Sequence, residues 1–172
     1  MSDDALTLRD GALARIRLNR PAAIHALNTP MCAAMLDALV AWEADDGVAA
    51  IMIDHAQGRG FCAGGDIRML ADSGAGDGAD ARAFFHIEYR LNHRLFMCQK
   101  PTLAFMDGIT MGGGVGLSLP CQYRVATENT RFAMPETGIG LFPDVGGGWY
   151  LSRLPGRTGV FLALTGARVD GA

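Results

Sequence analysis

The stretch GRGFCAGGD at positions 58–66 places four glycines around one cysteine, shortly after the apolar run VAAIMID. Glycine loses more conformational freedom on folding than any other residue, so this cluster is unfavourable to order. A tight turn or a flexible surface loop would explain one or two of the glycines. A loop whose bare backbone N–H groups must approach a ligand closely would explain all of them.

A second glycine cluster lies in the same local context. The segment DGITMGGGVGLSL follows a predicted strand, and Gly112, Gly113 and Gly114 lead into a predicted helix that ends at Leu119. The N-terminus of a helix offers unpaired N–H groups and a dipole that favours negative charge. The two loops therefore predict two convergent N–H donors, which could stabilise an oxyanion.

Other glycine-rich motifs do not match this sequence. Neither cluster is followed by Lys and then Ser or Thr, as a P-loop requires. The segments GGGVGLSL and GIGLFPDVGGG do not keep the spacing of the G-x-G-x-x-G dinucleotide fingerprint. Binding of nucleotide phosphates is therefore only a weak alternative.

The cysteines and histidines indicate no further site. The four cysteines are spaced irregularly and form no C-x-x-C pair, which argues against a metal site and against a disulfide framework. Cys62 lies in the first glycine loop, but no histidine is near it in the sequence, so we expect a structural thiol. The histidines share no spacing with a serine or cysteine, and we expect all of them to be structural.

Strands and helices that could position the loops are predicted from the hydrophobic pattern. Alternation on both sides of Asp10-Gly11 predicts a hairpin of two strands. A helical pattern starts after Asn28 and Thr29, either of which could be the N-cap. VAAIMID is typical of a buried strand, and a short helix is expected from Asp66.

The middle of the chain continues this alternation of elements. The segment DSGAGDGAD at positions 72–80 predicts a polar, mobile surface loop. A long helix is predicted through ARAFFHIEYRLNHRLFMCQ, and PTLAFMDG is a further short strand. With 172 residues, of which 49% are hydrophobic, the chain is expected to form one globular α/β domain over residues 1–172 with a ββα rhythm.

Composition limits the classes of partner. A net charge of −3 gives no electrostatic footprint for nucleic acid or for an anionic membrane. No stretch approaches the length needed to span a bilayer, and the acidic N-terminus is unlike a secretory signal. We therefore expect a cytoplasmic protein.

Three longer segments occur in this order: FCAGGDI, DGITMGGGVGLSLPCQYRVATE and RFAMPETGIGLFPDVGGGWYLSRLPG. Together they resemble the crotonase (enoyl-CoA hydratase/isomerase) superfamily, and more closely its 3-hydroxyisobutyryl-CoA hydrolase branch. The resemblance implies a crotonase-like spiral of ββα units and an acyl-CoA substrate, with no metal or other cofactor. It also implies that the thioester oxygen lies between the N–H groups of Gly65 and Gly113, with Gly64 and Asp66 contributing to substrate binding.

The acid and base residues distinguish the branches of this superfamily. The resemblance implies that hydratases carry one glutamate after the second glycine cluster and another in a PE pair, because hydration needs both a base and an acid. Gly116 occupies the first position here, whereas Glu136 keeps the second. Resemblance to the hydrolase branch gives Asp144 as the second catalytic carboxylate and Glu88 as a substrate-contacting group. The implied reaction is hydrolysis of 3-hydroxyisobutyryl-CoA in valine catabolism, with Glu136 as nucleophile or general base.

Each carboxylate also has a structural alternative. Glu136 could cap a helix or lie in a loop, and Asp144 could be the N-cap of the helix predicted in VGGGWYLSRL. Glu88 could form solvated ion pairs with Arg90 and Arg94.

Two functional alternatives stay open, an enoyl-CoA hydratase or isomerase and a non-catalytic fragment. Members of the superfamily continue beyond LTGARVDGA with helices that help to close the acyl-CoA site and often form oligomer contacts. The resemblance therefore implies that this C-terminal helical part is missing here, and it leaves a homo-oligomer open.

Overall fold

The computed structural model describes residues 3–171. In chain order, the strands are β1 (Ala5–Asp10), β2 (Leu13–Leu18), β3 (Ala50–His55), β4 (Thr102–Met106), β5 (Ile109–Met111), β6 (Tyr123–Ala126), β7 (Arg131–Ala133) and β8 (Val169–Asp170). The helices are α1 (Thr29–Glu43), α2 (Ile67–Gly74), α3 (Ala79–Met97), α4 (Gly113–Ser118), α5 (Gly147–Leu151) and α6 (Thr158–Thr165). Short 3-10 helices cover Pro21–Ala23 and Glu136–Ile139. None of the helices in this range is both long and apolar enough to cross a membrane.

Two sheets are built by successive repeats of the chain. The larger sheet has the order β1-β2-β3-β4-β6, and the smaller sheet has the order β5-β7-β8. β4 and β6 each lie in the larger sheet, and the strand that follows each of them, β5 or β7, lies in the smaller one. After β3, Cys62 forms an isolated parallel bridge with Thr110 of β5, which continues the same pattern. The predicted α/β spiral of ββα units is confirmed.

The apolar side chains form two clusters of different size. The main core combines side chains from β2, β3, α1 and α3, whereas the second cluster is much smaller. The largest fully buried side chains of the main core include Phe61, Phe84, Ile16, Leu18, Leu27, Met31 and Met35. The buried residues of the second cluster are Val115, Met134, Val145, Leu151 and Leu162.

The predicted loop at positions 72–80 is shorter in the structure. Helix α2 continues to Gly74 and α3 begins at Ala79. The Ser73 carbonyl accepts hydrogen bonds from the N–H groups of Gly76 and Gly78, and the Ser73 hydroxyl accepts one from Ala81 N–H. These local hydrogen bonds close a tight turn between α2 and α3. The composition of the segment predicts a mobile loop instead, because composition does not reveal these bonds.

Candidate active site

The two glycine clusters lie against each other through their backbones. The N–H of Cys62 donates to the carbonyl of Ile109, and the N–H of Met111 donates to the carbonyl of Cys62, both at 2.9 Å. Gly64 has a φ of +108°, a backbone conformation that residues other than glycine rarely adopt, and a Cβ there would lie 3.3 Å from the Met111 carbonyl oxygen and 3.4 Å from the Gly113 nitrogen. Glycine is therefore favoured at Gly64 chiefly by the backbone conformation.

Each loop has an N–H group without a hydrogen-bond acceptor at the predicted oxyanion position. Leu27 N–H donates to the carbonyl of Gly64, and Asp66 N–H donates to the carbonyl of Leu27. Gly65 lies between these two bonds of the parallel bridge, and its own N–H takes part in neither. Gly113 is the first residue of α4, where an N–H has no partner within the helix. Within residues 3–171, neither the Gly65 nor the Gly113 N–H has a hydrogen-bond acceptor. Their use as a pair of oxyanion donors is the prediction that this arrangement supports.

The first glycine loop is held by Cys62 and His25. The buried Cys62 thiol lies 3.2 Å from the carbonyl of His25, to which it donates, and burial raises its pKa to about 12. Burial also lowers the pKa of His25, whose Nδ1 accepts from Arg20 N–H while Nε2 donates to the carbonyl of Gln57. Both side chains are thus neutral parts of the scaffold. No set of three or more His, Cys, Asp or Glu side chains in the described range is placed to hold a metal ion.

Asp66 lies beside Gly65 with both carboxylate oxygens in use. Its Oδ1 accepts the N–H of Met69 at 3.3 Å, which makes it the N-cap of α2, and its Oδ2 accepts from Arg20 Nη2 at 2.9 Å. The predicted role of Asp66 in substrate binding stays a prediction, because its side chain is engaged in holding the loop.

Glu136 is a buried carboxyl group at the start of the second 3-10 helix. Glu136 is 6% exposed and lies against the second glycine cluster. A Cβ added to Gly112 would be 3.1 Å from Glu136 Oε1. Its Oε2 is buried and has no hydrogen-bond partner among residues 3–171. Burial raises the pKa of Glu136 to about 7, with the charge of Asp144 adding to the shift and a hydrogen bond from its own N–H opposing it. A solvated loop carboxylate would not show these features.

Glu88 projects from α3 against the second glycine cluster. It is 2% exposed, and its Oε1 contacts the Cα region of Gly113 without a hydrogen-bond partner in the described part of the chain. Burial raises the pKa of Glu88 to about 8, and the charges of Asp144 and Glu136 add to the shift. The alternative of a solvated ion pair is wrong for Glu88. Arg94 pairs instead with Glu43 of α1.

Asp144 lies in the turn that precedes α5, where it faces α3. Its Oδ2 accepts a hydrogen bond of 2.7 Å from the hydroxyl of Tyr89. The alternative role as N-cap is wrong, because Gly146 is the N-cap of α5 and no side chain caps that helix. Left-handed backbone at Val145 (φ 43°) and Gly146 (φ 86°) separates Asp144 from the start of the helix.

Gly116 is enclosed by Val145 and Asn92. A Cβ at Gly116 would lie 2.5 Å from the Cβ of Val145 and 3.1 Å from Nδ2 of Asn92. That Nδ2 donates to the carbonyl of Gly116 at 3.0 Å. The position at which the resemblance implies a glutamate in hydratases therefore lacks both a carboxylate and the space for one.

An apolar cavity of about 660 Å³ borders Asp144. It runs along α3 from Tyr89 past Asn92, whose Oδ1 is buried without a partner within residues 3–171. Sequence analysis missed both residues, although Asn92 lies one helical turn after Glu88 and therefore on the same face. The other lining residues are His93, Phe96, Pro120, Phe142, Pro143, Val145, Gly146, Gly148, Trp149 and Tyr150.

Comparison with known proteins places this geometry in context. A family model described as enoyl-CoA hydratase/isomerase matches residues 13–172. The 3-hydroxyisobutyryl-CoA hydrolase of Xenopus tropicalis, named as mitochondrial, is 50% identical over 98% of this chain and 44% of its own length. The corresponding Homo sapiens protein is 49% identical over 99% of this chain and 44% of its own. The chain thus spans less than half the length of these curated relatives.

Two solved structures share the fold over nearly the whole chain. A carnitinyl-CoA dehydratase from Mycobacterium thermoresistibile has a TM-score of 0.96 and 47% identity, covering 99% of this chain and 50% of that one. An enoyl-CoA hydratase from Rhodobacter sphaeroides has a TM-score of 0.93 and 44% identity, covering 98% of this chain and 50% of that one.

The expected cytoplasmic location is wrong, because the curated relatives are named as mitochondrial proteins. The expectation depended on an acidic N-terminus unlike a secretory signal and on the lack of a stretch long enough to span a bilayer. Neither property distinguishes the cytoplasm from the mitochondrion.

Proposed function

The chain belongs to the enoyl-CoA hydratase/isomerase family, and we propose that it is a thioester hydrolase that releases coenzyme A from 3-hydroxyisobutyryl-CoA, a step of valine catabolism. The observation that carries the proposal is the buried Glu136 beside the glycine loops, in the charge field of Asp144 and with no space for an acid at Gly116. The names of the curated relatives, which are about 50% identical, support the same substrate.

Glu136 is the proposed group that starts the reaction. With a pKa of about 7, a substantial fraction is ionised at neutral pH, which suits a carboxylate base or nucleophile. As a nucleophile it attacks the thioester carbonyl carbon and displaces coenzyme A, which gives an anhydride that water then cleaves to free Glu136. As a base it removes a proton from the water that attacks the same carbon. In both routes the C–S bond breaks, the leaving sulfur gains a proton that comes overall from the water, and the acid product gains the water oxygen.

The N–H groups of Gly65 and Gly113 are the proposed donors to the oxygen of the tetrahedral intermediate. Both lack an acceptor within the described residues, so they are free to bind an oxyanion without breaking a protein hydrogen bond. Donors of this kind stabilise the transition state by about 3 kcal/mol each. Gly64 supports the pair by allowing the two loops to approach closely.

Glu88 is the proposed contact for the hydroxyl group of the acyl portion. Its pKa of about 8 keeps it mostly protonated at neutral pH, so that it can both donate and accept a hydrogen bond. The proposed reaction uses water and changes no oxidation state, so it requires no redox cofactor, and the mechanism assigns no step to a metal. Coenzyme A is part of the substrate.

Hydration of an enoyl-CoA is the alternative reaction. The solved Rhodobacter sphaeroides relative is named as an enoyl-CoA hydratase. Addition of water to a double bond needs an acid and a base that act together. Gly116 cannot supply either, so this alternative is less well supported than hydrolysis.

Substitution of the two carboxylates tests the proposal. Glu136→Gln should lower the rate of thiol release from 3-hydroxyisobutyryl-CoA by about 10³-fold or more, because the amide keeps the shape but is neither base nor nucleophile. Asp144→Asn should give a smaller loss. Glu128→Gln, at an exposed position, is the matched control and should leave the rate unchanged. Retention of the rate in Glu136→Gln would refute the proposed chemistry.

A further inference from the structure

We propose that Tyr89 is a positioning residue for the hydrolysis, with its hydroxyl group holding the Asp144 carboxylate toward Glu88 and Glu136. The inference rests on the proposed function, which assigns no role to Tyr89. It is carried by one contact across a large sequence separation, the hydrogen bond of 2.7 Å from the Tyr89 hydroxyl to Asp144 Oδ2.

Tyr89 is attached to the rigid side of the site. It follows Glu88 directly in the 19-residue helix α3, whose side chains Phe84 and Leu91 are fully buried in the main core. Its ring also packs against Phe85, with ring centroids 5.7 Å apart. The backbone of Tyr89 is therefore held by a long, well-packed helix, and Phe85 supports the ring although the residue is 42% exposed.

Asp144 lies on the other side of the site, outside the main core. It is half-buried in a turn next to Pro143, and it is followed by left-handed backbone at Val145 and Gly146. Among residues 3–171, the Asp144 carboxylate accepts a side-chain hydrogen bond from the Tyr89 hydroxyl alone. Without that donor the side chain has rotational freedom about its own bonds, which misplaces its charge relative to Glu136.

The phenol is a dependable donor under the conditions of the reaction. Burial raises the pKa of Tyr89, and the hydrogen bond to Asp144 and the negative charges of Asp144 and Glu88 raise it further. The hydroxyl proton consequently stays on Tyr89 at neutral pH. The observed distance is also in the range of hydrogen bonds that join a neutral donor to a carboxylate.

Tyr89→Phe and Tyr123→Phe form a matched pair of variants. Tyr123 lies on β6, outside the cavity that borders Asp144, and it is 59% exposed. With 3-hydroxyisobutyryl-CoA, Tyr89→Phe should lower kcat about 10- to 100-fold while KM stays within about twofold. Tyr123→Phe should change neither value.

A double variant and a structure separate positioning from general destabilisation. If Tyr89 acts through Asp144, then Tyr89→Phe combined with Asp144→Ala should be no slower than Asp144→Ala alone. A crystal structure of Tyr89→Phe should show the Asp144 carboxylate displaced.

The outcomes distinguish this inference from the proposed function. With an active wild type, three results would overturn the role of Tyr89 alone. Tyr89→Phe could behave like Tyr123→Phe, it could lose activity additively with Asp144→Ala, or its structure could keep Asp144 in place. A wild type that releases no thiol would overturn the proposed function, and the inference with it.

Discussion

Glu88 and Glu136 each bury a carboxyl oxygen that has no partner within residues 3–171. Burying such a group is unfavourable, and in its charged form it is more unfavourable still. The negative charge of Asp144 further opposes the ionisation of both glutamates. Clusters of this kind are enriched at functional sites, which supports the proposed roles of Glu136 in the reaction and of Glu88 in substrate contact.

The raised pKa values predict a dependence of stability on pH. In the unfolded chain these carboxyls have ordinary values near 4.5, whereas in the fold they lie near 8 and near 7. Between those limits the folded state binds more protons than the unfolded state, so the free energy of unfolding should fall as the pH rises from about 4.5 to about 8. Urea unfolding over this pH range measures the effect.

Glu88→Gln is the variant that isolates this contribution. The amide resembles the protonated acid and cannot ionise, so the decrease in the free energy of unfolding should be smaller than in the wild type. Glu128→Gln, exposed to solvent, should keep the wild-type slope. An unchanged slope in Glu88→Gln would show that Glu88 does not titrate as its burial indicates.

At the residue scale, motifs identified the carboxylates but not their partners. Glu136 and Asp144 lie in one continuous block of sequence, from which the resemblance gave both. Tyr89 fits the helical apolar pattern of α3 equally well as a packing residue. Its contact with Asp144 joins positions 55 residues apart, and no local pattern encodes such a contact.

At the scale of elements, the packing of α4 against its neighbours depends on Gly116. The backbone of α4 approaches Val145 and Asn92 so closely that no Cβ fits without a shift of these groups. Val145 has positive φ and belongs to the second apolar cluster, so it has little freedom to move.

Gly116→Ala should therefore lower the free energy of unfolding by about 1–3 kcal/mol, as overpacking of a filled interior does. Gly74→Ala is the matched control, because a Cβ added to that helical glycine would have no atom within 4 Å and its backbone is ordinary. It should be neutral or slightly stabilising. Equal effects of the two substitutions in chemical denaturation would contradict the packing described for α4.

Elements with a strong local pattern were predicted, and those formed by distant pairing were not. The hairpin of β1 and β2, the Asn28 cap of α1 and the long helix α3 follow from alternation, capping and helical spacing. Strands β5 and β7 are only three residues long and pair with each other across the chain. Such short segments carry too few residues for a period to be recognised.

At the scale of the whole molecule, the site joins the two apolar clusters. Glu88 comes from α3 in the main core, whereas Glu136 and Asp144 flank segments that contribute Met134 and Val145 to the second cluster. Large apolar side chains are more than one-third exposed in this later part of the chain, including Ile139, Phe142, Trp149, Phe161 and Leu164. The proposed site can therefore form only when both clusters are folded.

The most direct test of the account uses one purified sample of residues 1–172 and two substrates. We predict that the sample releases free thiol from 3-hydroxyisobutyryl-CoA and hydrates crotonyl-CoA far more slowly, because the site has Glu136 and Asp144 but no acid at Gly116. Efficient hydration of crotonyl-CoA without thiol release would contradict the hydrolase assignment and leave only the family. Absence of both activities in a folded sample would contradict catalysis by this chain.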